Sequence, residues 1–487
     1  MKNGETYGMK IGKNNLLYIM LGIGLIIFLF NIPTPKEYNV VLCVAIIVFF
    51  FILATWFNIC SIINYYTFFI ISCFVFYFGQ YMIYFFTGES IERWMSITKN
   101  YPPLQMNTSS IFVLRCLLFI HMAVLMFYKK NKINIQYVDK NEEIKLATNR
   151  MSAAIFFWGT YIPAMIIGIV KMRISLAISY SELFNNNNLF IFGNPIDKIM
   201  RIMANFVIAA FIYVVIVFKD SKKMKLYLVL IGLYIIVYYM SGSRFKVTLF
   251  LCMSIIIRNE YYKKIDFKRI LRLIPSIIFV LIIITSVGTV RANFTSHNSF
   301  ADLLKLMIDV AFKNNIFMSI LNEFGMTAVV IATVLNYCPS QVSYLYGKSY
   351  LYAIMGIIPN FIWNSIDINS VNTDAVFHSY VNKYSGIGSS FIAEAYFNFG
   401  QGAYVIMFLL GLIIACVINI MHREIESRNY IKITMLYYFM CLLLFSVRSD
   451  LYSIVKELFY LYIMIKVLNI FASWICIKRF CRNKSIS

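Results

Sequence analysis

Stretches of roughly 17–25 predominantly apolar residues, each long enough to cross a hydrocarbon core as a helix, recur about twelve times along the chain. Inside lipid every backbone amide and carbonyl needs a partner from the protein, which leaves helices and closed barrels as the only spanning structures. A barrel would be written as short alternating strands. These runs are long and continuous, so they read as helices. Composition agrees: the 487 residues are 60% hydrophobic and 14% charged, against about 25% charged in a soluble domain. Disorder, a disulfide scaffold and an ordinary cytosolic enzyme are excluded. The net charge of +22 does not point to nucleic acid, because the basic residues sit in short clusters between apolar runs, as the positive-inside rule describes. The ten cysteines lie mostly in or beside spans, and no Cys/His spacing resembles a zinc site.

The expected fold is an all-α polytopic membrane protein with about twelve transmembrane helices, at 15–32, 38–57, 61–86, 109–128, 151–170, 198–218, 226–240, 245–257, 271–290, 402–421, 431–447 and 451–475. Basic clusters at 129–150, 219–225, 258–272, 422–432 and 478–487 fall on one side if both termini are cytoplasmic, and the opposite orientation would break the charge rule. Three regions result: an N-terminal bundle, 1–290; a large exterior loop, 291–401; and a C-terminal bundle with a basic tail, 402–487. Loops of this length are usually functional. Residues 300–312 have amphipathic helical spacing, and 326–335 and 350–358 are apolar. Helices lying on or dipping into the outer membrane surface are therefore expected there.

The chemistry should sit on the exterior side. The Ser241-Gly-Ser-Arg244 turn interrupts an apolar region whose halves of about 13–15 residues cover only about 20–22 Å, short of a core about 30 Å thick. The turn is therefore expected below the outer surface, with Ser241 and Ser243 supplying hydroxyls to freed backbone groups and Arg244 asking for an anion. Arg173, Arg291 and Arg448 end other spans on the same side, where the charge rule disfavours them. Guanidinium forks suit phosphate and carboxylate, so several at one membrane face would bind a lipid pyrophosphate. Snorkelling to headgroups, or pairing with Asp450 or Glu182, are the structural alternatives. Glu323 and Glu394 lie in apolar surroundings that suit a base for a sugar hydroxyl and equally a structural ion pair. His378 is a further candidate base, and Tyr346 is an exterior aromatic able to stack on sugar.

Ser-Gly-Ser-Arg at 241–244 is followed in order by Glu323-Phe-Gly325, Tyr346-Gly-Lys-Ser-Tyr350, Ile358-Pro-Asn360 and the stretch from Gly388-Ser-Ser through Glu394 to Phe399-Gly400. This ordered set resembles the Wzy-type repeat-unit polymerases of O-antigen and capsule. The resemblance implies a fold similar to the C-type glycosyltransferases, in the bacterial cytoplasmic membrane. It implies a reaction on the outer face that moves a growing glycan from undecaprenyl pyrophosphate to the non-reducing end of another carrier-linked repeat unit. No metal or other cofactor is implied; the partners would be the lipid-linked oligosaccharide, the bilayer, and a flippase and chain-length regulator of the same pathway. On that pattern Arg244, Arg291 and Arg448 hold the pyrophosphate, while Glu323 or Glu394 orients or deprotonates the acceptor hydroxyl. A glycan ligase of the same chemistry, and a lipid-glycan flippase or secondary transporter, remain as alternatives. A ligase-deficient strain would accumulate polymer on its carrier, and a transporter would place charges near the bilayer midplane.

Overall fold

A computed structural model describes residues 13–88, 101–129, 142–177, 194–241, 244–262, 318, 321–322, 324–358, 370–381 and 388–484. Among them there is no strand. The helices are α1 (Lys13–Asn31), α2 (Tyr38–Phe57), α3 (Tyr65–Thr87), α4 (Pro103–Phe127), α5 (Glu142–Ala177), α6 (Asn194–Asn205), α7 (Val207–Val217), α8 (Met224–Met240) and α9 (Arg244–Ile257). A π-helical turn, Arg258–Tyr262, follows α9. The chain continues with α10 (Thr327–Tyr337), α11 (Lys348–Met355), α12 (Thr373–Val381), α13 (Phe391–Phe399), α14 (Ala403–Glu426), α15 (Tyr430–Ser446) and α16 (Tyr452–Lys484).

The chain is an all-α polytopic membrane protein. Six stretches are long and apolar enough to cross a bilayer: Tyr38–Phe57, Tyr65–Thr87, Pro103–Phe127, Ile144–Arg173, Phe391–Glu426 and Ile454–Cys476. The pair α6–α7, bent by 45° at Phe206, makes a seventh if counted as one span. Helices α1, α8 and α15 coincide with expected spans, with apolar stretches Asn15–Asn31, Met224–Tyr239 and Tyr430–Ser446 that are shorter than those six. The expected span at 271–290 and the amphipathic stretch at 300–312 lie outside the described residues.

Helix boundaries follow local chemistry. Asn64 accepts from the Thr67 amide at 3.0 Å to start α3, and its Oδ1 also accepts from the Trp56 indole at 3.0 Å, tying α2 to that start. At the other extreme of burial, 78% of the apolar window of α4 is buried but only 17% of that of α16. Helix α4 is therefore central, packed by α1, α2, α10 and α14, and α16 turns Phe459, Ile463, Val467 and Ile470 outward as a lipid-facing surface. Arg115, at the middle of α4, is not a stray charge. Its guanidinium donates to the Leu29 carbonyl at 2.7 and 3.2 Å and lies 4.4 Å from the Phe30 ring. It thus satisfies a carbonyl in the last turn of α1, where a cation also suits the helix dipole.

Helix α10, from the expected exterior loop, is packed into the bundle rather than laid on its surface. Residues Thr327–Val334 of α10 are all buried, against α3, α4, α12 and α13. The close approach is made by two glycines. A Cβ on Gly325 would stand 2.6 Å from the Gln80 amide nitrogen and 2.6 Å from the Leu321 carbonyl, and Gly79 faces it from α3.

The two ends of the bundle differ. At one end Lys219 reaches the Tyr261 carbonyl at 2.8 Å, Tyr437 donates to Glu260 at 3.2 Å, and Arg423 and Lys432 pair with Glu424 at 3.2 and 3.4 Å. The Lys129 amide joins them by donating to Asn419 at 2.9 Å. Beyond α9, Glu260 meets Tyr437 and Tyr261 lies near Tyr430 at the start of α15, whereas Cys252 within α9 lies near Cys441 in its second half, so those two helices are antiparallel. Tyr161 of α5 donates to the Leu230 carbonyl of α8 at 3.0 Å, and seven residues later Gly168 packs on Tyr238, so α5 runs parallel to α8 and ends beside the start of α9. The start of α9, the end of α5 and the turn from α15 to α16 consequently share the end opposite Lys129, Lys219 and Lys432.

Candidate active site

At that opposite end, four helices begin close together: α11, α12, α13 and α16. Ser390 starts α13, its hydroxyl accepting from the Ile392 amide at 3.2 Å. Just before it, Gly388 adopts φ +79°, a conformation that favours glycine, and its amide donates to Asp374 in the first turn of α12 at 2.8 Å. The chain is thereby turned so that Ser389 hydrogen-bonds Asp450. Thr373, the first residue of α12, donates to the same Asp450 oxygen at 2.8 Å.

One turn into α13, Glu394 is fully buried. It accepts from the Ser349 hydroxyl at 2.6 Å and from the backbone N–H of Leu451. Asn398, one turn further, donates to Ser349 Oγ at 2.8 Å and accepts from the Ser349 amide at 3.4 Å. Tyr77 of α3 completes the set, with its hydroxyl 2.8 Å from Ser390 Oγ and donating to the Val447 carbonyl at 3.4 Å. The short turn from Val447 to Leu451 is thus gripped by α3, α12 and α13. It carries Arg448, whose side chain is exposed.

Two buried carboxylates meet no cation among the described residues. Their charge is met instead by hydroxyls, amides and the positive N-terminal ends of the surrounding helices. Burial raises the Asp450 carboxyl above the ordinary carboxylate range; the Ser389 and Thr373 hydroxyls partly offset this by favouring the anion. The buried Tyr350 phenol, close enough to feel both acids, is held neutral by burial. Its hydroxyl has no hydrogen-bond partner among the described residues. No group of three His, Cys, Asp or Glu side chains among the described residues is placed to hold a metal ion.

The residues singled out from sequence are distributed as follows. Arg173 is exposed in the last turns of α5. Ser241 is buried at the end of α8, its hydroxyl donating to the Tyr238 carbonyl at 2.9 Å, and Arg244 opens α9. Arg173, Arg244 and Arg448 therefore sit at the same end of the bundle. Ser243, Arg291 and Glu323 lie outside the described residues. The neighbours of Glu323 are described, however: Asn322 accepts from Gln80 of α3 at 2.9 Å, and Phe324 packs edge-on to Phe76 at 5.1 Å. His378 is a position in α12. Tyr346, 79% exposed with φ 48°, precedes α11. Its amide is pinned to the Asn398 carbonyl at 2.9 Å, so a strained backbone presents an open aromatic ring.

Sequence reasoning missed the cluster that holds the site together: Tyr77, Ser349, Thr373, Ser389 and Asn398. Three of these five lie within the quoted motifs, so the signal was small polar residues embedded in apolar runs.

Residues 14–484 match the family described as O-antigen polysaccharide polymerase Wzy. No curated protein and no solved structure matches the chain.

Proposed function

The chain belongs to the O-antigen polysaccharide polymerase Wzy family, and on that premise we propose that it polymerises a lipid-linked oligosaccharide on the outer face of the bacterial cytoplasmic membrane. The hydroxyl at the non-reducing end of one carrier-linked repeat unit attacks the anomeric carbon of a glycan held on a second carrier. The bond from that carbon to the pyrophosphate oxygen breaks, the carrier pyrophosphate leaves with the electron pair, and the hydroxyl proton passes to a base. About twelve spans, cytoplasmic termini and a fold similar to the C-type glycosyltransferases belong to this reading.

The family match over nearly the whole chain carries the proposal. The arrangement of the bundle supports it. Lys129, Lys219, Arg423 and Lys432 collect at one end, which the charge rule makes cytoplasmic. Arg173, Arg244 and Arg448 then face outward, where a prenyl pyrophosphate would lie with its tail in lipid. Arg244, Arg291 and Arg448 stabilise the charge developing on the leaving pyrophosphate. Glu323 orients or deprotonates the acceptor, with His378 the next choice; Glu394, the other carboxylate named from sequence, has both oxygens engaged by Ser349 and Leu451. Ser241, Ser243 and Arg173 are the proposed substrate-binding positions, and Tyr346 offers a ring face to sugar.

The test is complementation of a strain lacking the gene. Wild-type protein should restore long-chain polymer, whereas Arg244→Ala and Arg244→Lys at normal membrane levels should leave single repeat units. Long polymer from either variant would remove Arg244 from the mechanism. Carrier-bound polymer accumulating in the deletion strain would instead identify a ligase.

A further inference from the structure

Glu394 has a sequence context that suits a general base, yet its surroundings suit another task. A base must present a free oxygen to the acceptor hydroxyl. Glu394 is wholly buried, with one oxygen accepting from Ser349 and the other from the Leu451 amide. Ser349 is itself fixed by Asn398. Leu451 is three residues past Arg448, at the entrance to α16, and the intervening Asp450 is held by Ser389 and Thr373.

We infer that Glu394 is a positioning residue, whose carboxylate fastens the Arg448 turn to the start of α11 and so fixes where the guanidinium stands. This rests on the polymerase reading, in which Arg448 grips the pyrophosphate. An arginine on a loose turn would pay in ordering entropy at each encounter, whereas one on a clamped turn is already arranged for the departing charge. Removal of a proton from the acceptor then belongs to another group.

Glutamine is the discriminating substitution. Its carbonyl oxygen can accept from Leu451 and its amide can donate to Ser349 Oγ, but it cannot act as a base. Each variant is purified in detergent and given a carrier-linked repeat unit, with rates normalised to folded protein. Glu394→Gln should stay within about threefold of wild type and Glu394→Ala should fall at least about tenfold, since only the latter loses both contacts. In an Arg448→Ala background, Glu394→Ala should add little further loss, because it acts through that arginine. A fall of about a hundredfold or more in Glu394→Gln, the size of a lost general base, would overturn the inference. So would failure of that variant to fold, or full additivity with Arg448→Ala. Absence of polymer from wild-type protein, or full activity in Arg448→Ala alone, would instead count against the functional reading.

Discussion

The Glu394 carboxylate accepts the main-chain N–H of Leu451, joining the first turn of α13 to the entrance of α16 within a fully buried setting. Its other oxygen depends on Ser349. Ser349→Ala should leave both Glu394 and the Asn398 amide short of a partner in a place water does not reach. The expected cost is about 1–3 kcal/mol, read as a lower thermal midpoint of the detergent-solubilised protein. An unchanged midpoint would mean the cluster contributes nothing to stability.

The crossing of α3 with the segment before α10 tolerates no side chain. Gly325→Ala would drive a methyl group to 2.6 Å from two backbone atoms, neither of which can swing away. A loss of at least about 1–3 kcal/mol is expected, with reduced accumulation in membranes. Gly232→Ala, in α8 with open space where a Cβ would stand, is the control and should be neutral or slightly stabilising.

Arg448 separates charge from geometry. Its side chain is exposed, so Arg448→Ala should change the thermal midpoint little while lowering polymerisation on the order of a hundredfold, as lost stabilisation of a developing anion does. Arg448→Lys keeps the charge but not the planar fork, and should fall between the two. Equal activity in all three forms would exclude a role for this side chain with the pyrophosphate.

Asp450 makes stability depend on pH in a definite direction. Burial raises its carboxyl in the folded protein, so the folded state keeps its proton after the unfolded chain has lost it. Stability is then fully present below the ordinary aspartate range near pH 4 and falls as pH rises, until Asp450 itself ionises. Asp450→Asn removes this loss. The midpoints of variant and wild type should lie closest near pH 4 and separate, in favour of the variant, toward neutral pH. A separation that shrinks with rising pH would contradict the assignment.

Much of this protein was written in one dimension. A helix crossing lipid satisfies its own backbone, so each span announces itself by length and apolar content. That is why the stretch at 38–57 coincides with α2, and α8 and α9 meet the break expected at Ser241. The basic clusters beside Lys129, Lys219 and Lys432 were readable for the same reason, since charge beside a span is a local property. What no local pattern contains is which helix ends meet. Ser349, Glu394 and Leu451 are far apart in the chain and become one hydrogen-bonded unit only because four helices start at the same place. The apolar run at 326–335 read as a helix lying on or dipping into the outer membrane surface. Glycines at 79 and 325 let it sink between α3 and α4, a decision made by shape complementarity between remote segments. Hydropathy thus determined that the chain spans a membrane and where it turns, and tertiary packing alone decided which buried oxygens grip the turn bearing Arg448.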